Sequence, residues 1–178
     1  HPGRVSKFCA VDIVPTLDVW EQMDAAAAVS QFHWPLLATD APLPENLIGQ
    51  NPEFFYRALL QRWAGSFERL DSRAVAAYLA QYRDPRRIAA QCEDYRAGAT
   101  VDRINDRIDR EAGRRLDCPV LVLWGKGYLG AKARSPLDTW RRWADQVSEI
   151  AIDCGHFVVE EEPERALAAL REFFREPG

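Results

Sequence analysis

Two residues of this chain combine a reactive type with a telling position: Asp12 and His156. Asp12 interrupts residues 7–14 (KFCAVDIV), an apolar and partly β-branched run that reads as a strand covered on both faces. A carboxylate in such a run needs a partner, because an unpaired buried charge is costly. His156 follows residues 149–153, another short strand, and comes directly after Gly155, which permits a tight turn. An imidazole oriented by a buried acid can take a proton from water. Each residue alone has an ordinary explanation, Asp12 as a structural hydrogen-bond acceptor or helix cap and His156 as a surface loop residue. Together at the carboxyl ends of strands, where open α/β sheets collect their function, they predict acid–base chemistry.

The elements that must position this pair follow from the pattern of apolar residues and breakers. After Pro15 and Thr16 the chain reads as helical for about a hundred residues. A helix over 17–30 carries Leu17, Trp20, Met23 and Ala27 at helical spacing, and a proline-rich loop covers 40–44. Asn51-Pro52 starts a helix through Trp63, Asp71 caps one over 72–82, and Asp84-Pro85 opens one to about Ala97. A charged helix over 100–112 ends at Gly113. The texture then changes. Residues 120–124 (VLVLW) form a continuous apolar strand, followed by a loop with Gly125, Gly127 and Gly130. Ser135-Pro136 starts a helix with Leu137, Trp140 and Ala144 on one face. Pro163 stands near the start of a last helix, with Ala166, Leu167, Leu170 and Phe173 facing inward. Strands alternating with helices imply α/β architecture with a parallel sheet. Three strands are few for such a sheet, so the chain is expected to be part of a larger protein.

The composition is that of a globular protein: 178 residues, 47% hydrophobic and 28% charged. A net charge of −4 speaks against a nucleic-acid partner. No apolar run is long enough for a transmembrane helix, and no signal-peptide pattern opens the chain. Cys9, Cys92, Cys118 and Cys154 form no C-x-x-C pair, and the histidines at 1, 33 and 156 have no metal-binding spacing. The expectation is free thiols, no metal or organic cofactor, and a cytoplasmic location. A role for Cys154 as a thiol nucleophile is set aside. Glu160 to Glu162 reads as a solvated run, as do Arg103, Arg107, Arg110, Arg114 and Arg115, and Trp140 and Trp143 read as packing residues.

Acid before histidine in chain order is the arrangement of α/β hydrolases, in which a nucleophile precedes both. Neither G-x-S-x-G nor G-x-D-x-G occurs in the 178 residues, so the nucleophile is expected upstream of His1. Several segments extend the likeness: residues 1–7 (HPGRVSK), 11–16 (VDIVPT), 32–34 (FHW), 42–47 (PLPENL), 92–99 (CEDYRAGA), 123–125 (LWG) and 155–157 (GHF). On these the chain resembles, over essentially its whole length, the C-terminal part of a fluoroacetate (haloacetate) dehalogenase of the α/β-hydrolase superfamily. The His-Trp pair and EDYRAGA are the specific carriers, whereas W-G and G-H-F are shared with epoxide hydrolases.

The resemblance implies a core strand with the catalytic acid over 1–15, an all-helical cap over 16–112, and the C-terminal part of the α/β-hydrolase core over 113–178. It implies an ester formed on an upstream aspartate and hydrolysed by water that His156 activates, with Asp12 orienting the histidine. The loop after 120–124 reads Lys126-Gly127-Tyr128-Leu129 and offers no acid, which independently favours Asp12 over the other position the superfamily uses. His33, Trp34 and Tyr95 match the residues that bind the leaving halide in the family, supplying imidazole, indole and phenol donors. A small-molecule haloacid substrate and a homodimer follow from the same resemblance. The rivals are an epoxide hydrolase or serine esterase of the same fold, or a chain inactive as it stands.

Overall fold

The computed structural model describes residues 2–129 and 136–175. His1, Gly130 and Ser135, named above, lie outside the described residues. The described strands are β1 (Phe8–Val11), β2 (Val120–Gly125) and β3 (Val147–Ile152), in one parallel sheet of order β1-β2-β3. The middle strand is the most buried, with Val120, Leu121, Val122 and Leu123 at 0–2% exposure, as a run of branched aliphatics without alternation demands. The register pairs Val11 with Leu123 and Gly125 with Ile152, which brings the three carboxyl ends to one edge.

The helices are α1 (Thr16–Glu21), α2 (Ala25–Ser30), α3 (His33–Leu37), α4 (Leu43–Gly49), α5 (Pro52–Trp63), α6 (Ser72–Gln81), α7 (Pro85–Ala99) and α8 (Val101–Glu111). After β2 come α9 (Pro136–Trp140), α10 (Val158–Glu161) and α11 (Pro163–Phe174). The chain divides into two compact units, one of residues 1–14, 61–71 and 109–178, the other of 15–60 and 72–108. Residues 61–71, expected with the helical segment, thus belong to the unit that holds the sheet.

In the sheet unit, Leu123, Ile152, Cys154, Val158, Ala166 and Ala169 form a buried cluster, joined by Cys9, Val11, Ile150 and Leu170. Trp140 and Trp143 are packing residues, and the Trp140 indole N–H donates to the Ile13 carbonyl at 2.9 Å. In the helical unit, α1, α3 and α4 pack on α7, around Leu17, Leu37, Ile48, Ile88 and Cys92. Arg96 on α7 donates to Glu45 at 2.7 Å and to the Thr39 carbonyl at 2.8 Å, which fixes α7 to α4 and to the turn after α3.

Several expectations are corrected. β1 ends at Val11 because Asp12 takes φ 49° and leaves the strand. The helix expected over 17–30 is two: Thr16 is already helical, and Asp24 starts the second by accepting the Ala27 N–H at 2.8 Å. The segment from 33 to 49 holds α3 and α4, with Pro35 and Pro44 in the first turn of each, where the missing N–H costs nothing. On α11, Leu167 is 47% exposed and Ala169 takes the inward place. Arg115 is not simply solvated, since it pairs with Asp145 and donates to the carbonyls of Arg141 and Ala144. Among the described residues, no helix is long and apolar enough to cross a membrane.

Candidate active site

Asp12 is 2% exposed and fully committed. Its N–H donates to the Leu123 carbonyl at 2.7 Å, continuing the β1–β2 ladder by one step. Oδ1 accepts the Gly125 N–H at 2.9 Å, and Oδ2 meets His156 Nδ1 at 2.7 Å. The left-handed backbone is strained for a non-glycine residue, and aspartate is among the few that tolerate it. The acid–imidazole contact expected from the sequence is therefore formed within the sheet unit. With a carboxylate on Nδ1, that nitrogen carries the proton and Nε2 is the basic one.

The histidine is held from several sides. Its main-chain N–H donates to the Trp63 carbonyl at 2.8 Å. The Tyr128 ring lies 4.3 Å from the imidazole at 35°, and the Trp63 ring lies 5.7 Å away, nearly perpendicular. The imidazole side chain keeps 31% of its surface exposed. Burial, and secondarily the charge of Asp12, push the Tyr128 phenol up to about 12. Tyr128 and Trp63 were not singled out from the sequence. Tyr128 stands in the loop after β2, a strand end of the kind that flagged Asp12 and His156; Trp63 closes a helix far away in sequence and carried no signal.

Glycines allow this loop to close. A Cβ on Gly155 would meet the Trp63 carbonyl oxygen at 2.5 Å and the Ala64 carbonyl carbon at 2.5 Å, and one on Gly65 would meet the Gly155 nitrogen at 2.6 Å. Glu161 is 5% exposed, which corrects the reading of 160–162 as a solvated run. Its carboxylate accepts from the N–H groups of Gly65, Ser66, Gly155 and Phe157 at 2.9–3.3 Å. Glu162 pairs with Arg69 at 2.7 Å.

In the helical unit, His33, Trp34 and Tyr95 come together. Ring centroids are 5.8 Å apart for His33 and Tyr95, 5.3 Å for Trp34 and Tyr95, and 6.4 Å for His33 and Trp34. His33 is buried at 2% exposure, and Trp34 and Tyr95 are partly buried. The packing of α3 on α7 makes this trio, with Trp20 edge-on to Trp34 at 5.9 Å. The rings so gathered are an imidazole, an indole and a phenol, each of a type that carries an N–H or O–H group.

The four cysteines are free. Burial first, then the charges of Glu161 and Asp12, push the Cys154 thiol up to about 12, so it is a thiol and not a nucleophilic thiolate at neutral pH. Among the described residues no group of three or more His, Cys, Asp or Glu side chains gathers as a metal ion would require.

No protein-family model matches the chain. It is 35% identical over 177 residues to a fluoroacetate dehalogenase of Burkholderia sp, a match covering 97% of this chain and 57% of that protein. Among solved structures it is similar to ALR0039 of Nostoc sp PCC 7120, classed as an alpha/beta hydrolase, with 39% identity and a TM-score of 0.94 over 99% of this chain and 60% of that one. A Pseudomonas aeruginosa protein classed as an epoxide hydrolase matches at 41% identity and a TM-score of 0.91, over 97% of this chain and 58% of that one. The chain spans somewhat more than half the length of these proteins. Its parallel strands and flanking helices are those of the α/β-hydrolase fold, and its likeness to a fluoroacetate dehalogenase extends over nearly all its residues.

Proposed function

We propose that this chain, an α/β hydrolase by fold, carries the acid–base half of a haloacetate dehalogenase. In the first step a carboxylate attacks the halogen-bearing carbon; a C–O bond forms, the C–X bond breaks, and the halide leaves with the electron pair. In the second, His156 Nε2 takes a proton from water as its oxygen attacks the ester carbonyl. The acyl C–O bond then breaks, the imidazolium returns its proton to the departing glycolate oxygen, and the carboxylic acid left behind ionises, giving glycolate, the free carboxylate and one proton to water. Asp12 keeps the imidazole in the Nδ1–H tautomer and balances the charge it gains. The attacking carboxylate in this reading is not among the 178 residues. His33, Trp34 and Tyr95 replace the hydration that the leaving halide loses, which matters most for fluoride.

The observation that carries this reading is the buried Asp12 carboxylate at 2.7 Å from His156 Nδ1, in a chain 35% identical to a fluoroacetate dehalogenase. Hydrolysis of an epoxide is the competing reading, favoured by the Pseudomonas neighbour. The protein expressed from its complete gene, given fluoroacetate, chloroacetate and a panel of epoxides, separates the two. Halide and glycolate release from the haloacetates is expected. Diol formation from epoxides with no halide release contradicts the proposal. A cytoplasmic location and a homodimer belong to the same proposal, and gel filtration with light scattering tests the latter.

A further inference from the structure

We propose that Glu161 is a positioning residue for His156, acting through the backbone; this rests on the reading of His156 as the base. Its carboxylate grips both neighbours of the histidine: Oε2 accepts the Gly155 N–H at 3.0 Å and Oε1 accepts the Phe157 N–H at 3.2 Å. The N–H between them, that of His156, goes to the Trp63 carbonyl at 2.8 Å. The segment that provides this carbonyl is tied to the same carboxylate, because Oε2 also accepts from Gly65 at 2.9 Å and Ser66 at 3.3 Å. Three consecutive N–H groups, 155 to 157, are thus committed, and the hydrogen bonds close a ring: Glu161 to 155 and 157, 156 to 63, and 65 and 66 back to Glu161. Among the described residues all of Glu161's hydrogen bonds go to main-chain N–H groups, so it acts on the imidazole only by fixing the Cα that bears it. With that Cα fixed, the ring reaches Asp12 Oδ2 in one geometry.

The arrangement needs a carboxylate. Both oxygens only accept, and four donors converge on them. In Glu161→Gln, an NH2 group must face at least one of those N–H groups, whichever way the amide turns. Placing a base wrongly by about 1 Å costs on the order of 100-fold in the step it serves. In the protein expressed from its complete gene, Glu161→Gln is therefore expected to leave the halide-releasing step within about twofold of wild type. Ester hydrolysis should slow by about 10- to 100-fold. The signature is a burst of halide followed by slow turnover, with kcat and KM falling together and ester detectable by mass spectrometry. A role in stability alone would lower the melting temperature without changing the ratio of the two steps.

A folded Glu161→Gln protein with the wild-type ratio overturns the proposal, provided that His156→Asn traps ester in the same assay. If His156→Asn traps none, the reading of His156 fails instead, and a second readout still decides on Glu161. The proton NMR signal of the Nδ1–H shared with Asp12 reports ring position without turnover. It is expected to shift or broaden in Glu161→Gln, and an unchanged signal overturns the proposal. Should the Gln variant not fold, Glu161→Asp, a carboxylate too short to reach both sides, is expected to give the same burst and ester. Wild-type partition in that variant overturns it equally.

Discussion

At the scale of single residues, backbone strain and a buried carboxylate coincide at Asp12. Asp12 leaves its strand in a left-handed conformation, and this turns its carboxylate to meet both Gly125 and His156. Asp12→Asn keeps the shape but sets an amide against the imidazole, and turnover is expected to fall by about 10⁴-fold with little change in melting temperature. Steady-state kinetics beside a thermal melt checks this. Trp34→Phe and Tyr95→Phe each remove one donor, and they are expected to slow defluorination more than dechlorination, because fluoride depends most on hydrogen bonds replacing its water. Equal losses on fluoroacetate and chloroacetate would count against halide binding there. Asp12 and His156 were legible because a charged or polar residue beside an apolar run stands out. Glu161 was not, since three acids in a row look alike and only the fold shows which one is buried.

At the scale of elements, packing of backbone against backbone explains the glycines. Gly65 and Gly155 lie where a Cβ would strike main-chain atoms at 2.6 Å or less. Gly155→Ala must push the His156 loop away from residues 63–65, and it is expected to cost about 1–3 kcal/mol in urea unfolding and to abolish most activity. In the helical unit the comparable fastening is Arg96 with Glu45, whose side chains are 15% and 17% exposed. Burial raises the Glu45 carboxyl, but hydrogen bonding and charge from Arg96 more than reverse this and hold it below its ordinary value of 4.5. A carboxyl lowered in the folded state stabilises above its ordinary value, and that contribution is lost as pH falls through the folded one. Arg96→Met is therefore expected to be less stable than wild type at pH 7 by about 2 kcal/mol. The gap should narrow toward pH 3 in the same urea assay. The long helices α5, α6, α7 and α8 were readable from capping residues and proline starts. α3 and α4 were not, because helices this short show less than two turns of periodicity and their prolines resemble breakers.

At the scale of the whole molecule, the order of the described strands was readable from apolar runs, and with helical segments between them it suffices for a parallel sheet with three carboxyl ends at one edge. What local pattern could not show is that residues 61–71 belong with the sheet unit, since that depends on hydrogen bonds from 63, 65 and 66 to residues about ninety positions away. In the proposed reaction Asp12 and His156 together activate water against an ester. Its most direct test is His156→Asn in the protein expressed from its complete gene, incubated with fluoroacetate and measured by intact-protein and peptide mass spectrometry. One equivalent of halide released and a carboxymethyl group retained on an aspartate outside this sequence are expected. Continued turnover with no mass gain would contradict it.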